Sequence, residues 1–182
     1  ARCIVVTIAD QIPLDVDRLR RRIGAKIARR GGVLTGAHAD LHEALLGLLG
    51  RRPPWQWRGE VSFSIYGERG VIDILAWHPP TRSLLAIELK TELVDPQELV
   101  ATMDRRTRLA RRIATRFWWD PATVSCWVVL SEGSTNRRRV RRHQGLLRTA
   151  FPAQGHAMRR WLGAPSGPIA ALSFWSDVRS GS

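Results

Sequence analysis

The stretch VIDILAWHPPTRSLLAIELKT, residues 71 to 91, reads as two apolar strands around a Pro-Pro turn. Each strand carries ionisable residues where core residues belong. Asp73 sits between Ile72 and Ile74, and Glu88 and Lys90 interrupt the run Leu84, Leu85, Ala86, Ile87 and Leu89. With PPTR as a four-residue loop, His78 faces Ser83. Following that register outward then sets Asp73 opposite Glu88, on one face, with Cβ atoms about 5 Å apart.

Two like charges opposed in an apolar setting repel, and burial makes their ionisation costlier. A divalent cation is the simplest compensation, because Mg²⁺ (or Mn²⁺) commonly takes one or two protein carboxylates plus waters. Alternation returns Lys90 to the face of Glu88. Leu89 points into the core and leaves its backbone carbonyl near the metal position. A plain Glu88–Lys90 ion pair accounts for one acid and leaves the other unexplained.

Outward from the hairpin, GAHADLHEALLGLLG repeats Leu41, Ala44, Leu45, Leu48 and Leu49 at helical spacing and stops at Gly50. RRPPWQWRG reads as a turn region, and EVSFSIY (60 to 66) alternates as a half-buried strand. Taking GERG as its connection sets Ser64, not Glu60, opposite Asp73. A long helix follows, with Asp95 as N-cap, Pro96 at its first position and Glu98 at the reciprocal capping position. Leu99, Val100, Met103, Ala110, Ile113 and Phe117 face inward on it, whereas Arg105, Arg108, Arg112 and Arg116 form an exposed stripe. TVSCWVVLS (123 to 131) is a buried strand, STNRRRVRRHQGLLRTAF one basic helix capped by Ser134 or Thr135, GHAMRRWLG a short helix, and IAALSFW a last strand. This order implies an α/β domain with a central mixed sheet flanked by helices, over residues 37 to 182. Residues 1 to 36 read as a basic N-terminal extension or the tail of an upstream domain. The chain starts with Ala, as a processed product or a piece of a longer polypeptide would.

Asp73, fourteen intervening residues, and Glu88-Leu89-Lys90, in an αβββαβ order over roughly residues 37 to 131, resemble the PD-(D/E)-x-K, restriction-endonuclease-like nuclease superfamily. Ile72 stands where that superfamily usually has Pro, a loosely kept position. The resemblance implies that Asp73 and Glu88 bind the metal, with the Leu89 carbonyl, and that Lys90 positions or helps deprotonate the attacking water. Glu43 matches an additional helix Glu of Holliday-junction-resolvase-like members. Gln97 matches a helix Gln of recombination-nuclease-like branches. The ordinary alternatives are an exposed helical Glu and a polar first-turn residue. The implied activity is metal-dependent hydrolysis of phosphodiester bonds, with DNA as the expected substrate.

Composition points the same way. The formal net charge is +13 with a pI near 11.6, an excess that favours a polyanionic partner. Of the 29 basic residues only Lys26 and Lys90 are lysine. A GC-rich coding bias explains arginine elsewhere and makes the lysine at 90 informative, because lysine can give up a proton where arginine stays charged. Arg137, Arg138, Arg139, Arg141 and Arg142, with His143, form the densest basic cluster, suited to gripping phosphates without reading sequence. A non-catalytic DNA-binding or regulatory protein on a nuclease-like fold is the alternative, and a charge-driven membrane-surface binder a weaker third. Trp118, Trp119 and Trp127 sit in core-like contexts. Cys3 and Cys126 have no metal-ligand spacing and give no disulfide framework, so the default setting is reducing and cytoplasmic. No apolar run reaches membrane-span length. A homodimer is a permitted assembly.

Overall fold

The computed structural model describes residues 35 to 176. The expected N-terminal extension therefore lies outside the described residues, apart from its last two positions. The chain divides at residue 35, and the unit from 36 onward contains a five-stranded mixed sheet in sequential order. Its elements are α1 (Thr35–Gly50), β1 (Gln56–Ile65), β2 (Glu68–His78), β3 (Ser83–Lys90), α2 (Pro96–Ala114), β4 (Thr123–Leu130), α3 (Ser134–Arg142), α4 (Gln144–Ala150), α5 (Gly155–Gly163) and β5 (Ala170–Phe174). Strands β1, β2 and β3 run antiparallel in turn, whereas β3, β4 and β5 are parallel.

Helices cover both faces. Leu41, Leu45 and Leu49 of α1, with Met158, Trp161 and Leu162 of α5, pack on Ile74, Ala76, Leu85, Ile87 and Leu89. On the other face, α2 applies Leu109, Ala110 and Ile113 to Leu75, Leu84 and Ala86, and Leu99 and Met103 to Val128 and Leu130. β3 is covered on both sides, which is why Leu84 to Leu89 form an almost uninterrupted apolar run. A carboxylate inside that run is therefore costly unless paired.

The β2–β3 register follows the sequence reading. His78 pairs with Ser83, and the ladder continues to Ile74 opposite Ile87. At the start of α2, Asp95 accepts from the Gln97 and Glu98 amides, with Pro96 at the first position. That cap satisfies two amides that have no partner within the helix.

Five expectations need correction, the first being the Ser134 or Thr135 cap, because the N-cap of α3 is Gly133 and no side chain caps it. The β1–β2 connection is not GERG but the two residues Tyr66 and Gly67, both at positive φ (52° and 81°), because Ile65 pairs with Glu68. Positive φ at both central positions is what a tight type I′ hairpin needs. β1 starts earlier, at Gln56, so WQWRG is not all turn. The single helix expected over 134 to 151 is two, α3 and α4, broken at His143, where the backbone leaves helical dihedrals just before Gly145. Trp118 is not core but 96% exposed, turned out by its left-handed backbone after the short turn Thr115–Phe117. Trp119 and Trp127 are buried as expected.

Candidate functional site

The revised β1–β2 register changes what lies beside Asp73. Gly59 pairs with Ile74 and Val61 with Ile72, so Glu60, not Ser64, occupies the position opposite Asp73. Glu60 has φ 50°, and the ladder skips it. The ribbon changes sides there. Trp57 and Gly59 lie on the α1 side, yet Val61 and Phe63 pack with α2, although simple alternation puts all four on one face. β2 behaves likewise, with Ile74 on the α1 side and Ile72 on the α2 side.

Asp73 therefore sits where pairing is interrupted on both flanks. The β2–β3 ladder stops at Ile74 and Ile87, one step short of Asp73 and Glu88. In place of a further ladder bond, the Leu89 N–H donates to Asp73 Oδ2 at 2.8 Å. The Asp73 carbonyl lies 3.2 Å from His42 Nε2. Gly59 permits that approach, since a Cβ there would meet the His42 ring at 3.1 Å. His38, one turn earlier on α1, brings its Nε2 to 3.7 Å from Asp73 Oδ2.

Glu88 is 2% exposed and held by two cations. Lys90 Nζ lies 2.9 Å from Oε1, and the Arg106 guanidinium, from α2, pairs with Oε2. Arg106 is 13% exposed and also acts on the charge of Asp73. Helix α1 thus addresses Asp73 and helix α2 chiefly Glu88, across two neighbouring strands at the carboxyl end of β3. In open α/β sheets that end is where ligands characteristically bind.

These contacts set protonation. Burial works to raise the Asp73 carboxyl, but its pairing with His38, the hydrogen bond from the Leu89 amide and the charge of Arg106 outweigh it and leave Asp73 below the usual carboxylate range. Pairing with Asp73 raises His38, against a smaller opposing effect of burial. His42 is pushed down, chiefly by burial. The cluster therefore holds an ionised Asp73 beside a readily protonated His38 and a neutral His42.

Among the described residues no group of three or more His, Cys, Asp and Glu side chains could hold a metal ion. A Mg²⁺ that takes two carboxylates and fills its shell with water needs no such group. Asp73 and Glu88 are hard oxygen donors on adjacent strands, and both Glu88 oxygens are already paired with cations. The donor set fits Mg²⁺ or Mn²⁺, with Lys90 and Arg106 as competing cations.

The other expected site residues are dispersed. Glu43 is exposed on α1, and it is its neighbour His42 that turns toward Asp73. Gln97 is exposed in the first turn of α2. The α2 stripe reaches the β1–β2 ribbon. Arg105 and Arg108 lie 3.6 and 3.0 Å from Glu68, Arg112 pairs with the Tyr66 hydroxyl and lies over its ring, and Arg116 donates to the Ser62 carbonyl. In the second cluster Arg137 pairs with Glu132 at 2.6 Å, holding that carboxyl at about 2, and Arg139 pairs with Glu92 at 2.6 Å. Arg138, Arg141 and Arg142 are exposed, without an ion-pair partner among the described residues.

His38, His42 and Arg106 are site neighbours that the sequence reading passed over, and Glu60 is one that it set aside on the wrong register. Three of these had a signal. Arg106 continues the inward stripe of Leu99, Met103, Ala110 and Ile113, and His38 and His42 continue the stripe of Leu45 and Leu49. No family model, curated protein or solved structure matches the chain.

Proposed function

We propose that the protein is a divalent-metal-dependent nuclease that hydrolyses phosphodiester bonds, with DNA as substrate. The observation that carries this reading is that the Leu89 amide, between the paired Glu88 and Lys90 at the carboxyl end of β3, holds Asp73, in a chain of net charge +13. Asp73 and Glu88, with the Leu89 carbonyl, are the metal ligands in this reading. A bound Mg²⁺ or Mn²⁺ would polarise a phosphoryl oxygen and acidify a water.

The chain's own groups do the rest. Lys90, half-exposed and anchored to Glu88, orients the attacking water. His38 and the Leu89 amide keep Asp73 ionised and fixed in direction. Glu43 is exposed on α1 and Gln97 in the first turn of α2, and we assign them no step. Arg138 and Arg142 supply cations for the nucleic-acid backbone.

A second reading, a non-catalytic DNA-binding protein on the same kind of sheet, is favoured by one observation. Lys90 and Arg106 already balance Glu88, and His38 with the Leu89 amide already satisfies Asp73, so the cluster is complete without a cation. Calorimetric titration with Mn²⁺ separates the two. The nuclease reading expects saturable Mn²⁺ binding that Asp73→Asn abolishes, and nicking of supercoiled DNA that Asp73→Asn and Lys90→Ala each remove. DNA binding of unchanged strength in Asp73→Asn, with no Mn²⁺ heat in either protein, would establish the non-catalytic reading instead.

A further inference from the structure

A cavity of about 240 Å³ opens between α3, α4 and the edge strand β5, away from Asp73 and Glu88. Its floor is apolar, built from Leu147, Phe151 and Phe174, which are at most 8% exposed. Three arginines, Arg137, Arg141 and Arg148, stand around it, and none of its lining residues is acidic. Arg137 is oriented by stacking over the Phe174 ring, 4.3 Å from its centroid, and by its ion pair with Glu132. Arg141 and Arg148 are exposed and have no ion-pair partner among the described residues. The site is thus a concave apolar surface with uncompensated positive charge at its rim.

Concavity separates this place from the other arginine groups. A convex basic helix face meets phosphates and nothing else, whereas here an apolar floor faces guanidinium groups across a small volume. The chemistry that satisfies both is an anion attached to a flat, largely apolar ring. Arginine is suited to phosphate oxygens because its planar fork can donate two parallel hydrogen bonds. A cavity below the ~300–1,000 Å³ of typical small-molecule pockets has room for one such unit and not for a long acyl chain.

We propose that this cavity binds a single nucleotide through its 5′-phosphate and base, with Arg141 and Arg148 on the phosphate and the Leu147, Phe151 and Phe174 floor under the ring. The nucleotide is either free or the terminal residue of a strand; the recognition chemistry is the same. The site stands apart from the metal reading, because none of its residues touches Asp73, Glu88 or Lys90.

The test is calorimetry in EDTA on the Asp73→Asn protein, so that neither metal binding nor cleavage contributes. The probes are dTMP, thymidine, inorganic phosphate, and an eight-residue oligo-dT with or without a 5′-phosphate. We expect dTMP to bind at least tenfold more tightly than thymidine or inorganic phosphate. Arg141→Ala with Arg148→Ala should weaken dTMP at least tenfold, with an unchanged circular dichroism spectrum. Leu147→Gln, which alters the floor without touching the charge, should weaken dTMP but leave inorganic phosphate unchanged. A tenfold preference for the 5′-phosphorylated oligomer assigns the site to strand ends, and equal oligomer affinities with retained dTMP binding assign it to the free nucleotide. Absence of dTMP binding, phosphate alone binding as well as dTMP, displacement of dTMP by anionic phospholipid vesicles, or indifference to the double arginine substitution would each overturn the proposal.

Discussion

Helices α2 and α3 are both arginine-rich, and in sequence they look alike. In the folded chain they differ in what their charges meet. On α2, Arg105 and Arg108 reach Glu68, Arg112 reaches Tyr66, and Arg106 is packed against Glu88, while Arg116, in the turn that follows, reaches the Ser62 carbonyl. On α3, Arg137 and Arg139 are paired, while Arg138, Arg141 and Arg142 point outward without acidic partners among the described residues. Basic residues in a run are therefore not equivalent cations. What decides their use is whether the fold supplies a carboxylate or a carbonyl within reach.

The largest effect expected from this contrast is at Arg106. Removing one member of a buried ion pair strands the other, at a cost of about 3–5 kcal/mol, whereas exposed pairs contribute about 1 kcal/mol or less. Arg106→Met should therefore lower the urea midpoint far more than Arg108→Ala, although both remove one positive charge. Adding Glu88→Gln to Arg106→Met should recover a large part of the loss, because the stranded carboxylate is gone. Equal midpoints for the two single variants would show that Glu88 does not depend on the buried guanidinium.

The next effect concerns nucleic acid. Each phosphate contact released by salt contributes about 0.9 to the slope of log affinity against log salt on duplex DNA. Arg138→Ser with Arg142→Ser is expected to reduce that slope by about 2, while Arg105→Ser with Arg108→Ser, whose cations already face Glu68, should reduce it by less than about 1. Slopes from fluorescence anisotropy between low and moderate salt measure this directly. Equal reductions would mean that Glu68 does not occupy the α2 arginines once DNA is present.

How much of this was readable beforehand depended on local rules. The β2–β3 register was legible because Pro79 and Pro80 confine the loop, and the pairing of His78 with Ser83 follows. The β1–β2 register was not, because GERG offers glycine at both ends, while the turn that forms uses Tyr66 at positive φ, a position tyrosine seldom occupies. That misjudged loop moved Glu60 away from Asp73 on paper, and the side-switch at Glu60 has no counterpart in a simple alternation rule. Arg106 was hidden by its neighbours. It stands beside Arg105 in a basic stretch, although its spacing from Leu99, Met103, Ala110 and Ile113 places it inward. Trp118 misled in the opposite sense, because aromatic character suggests burial and only the backbone turn exposes it.

The smallest effect belongs to α1, which carries no arginine toward the site and works through His38. The sign follows from the two shifts. His38 is raised, so its contribution is complete below its unfolded value of about 6.5 and is lost as pH rises through the higher folded value. Asp73 is lowered, so its contribution is complete above about 3.9 and is lost as pH falls through the lower folded value. Their pairing therefore stabilises most between about pH 4 and 6.5. Because His38 is 41% exposed, solvent screening limits the amount to about 1 kcal/mol or less. The stability difference between wild type and His38→Asn, measured by urea unfolding in EDTA, should peak inside that window and shrink at pH 8. A difference that instead grew from pH 6 to pH 8 would mean that the neutral imidazole, and not its protonated form, holds Asp73, and the contrast between a histidine-served and an arginine-served carboxylate would have to be redrawn.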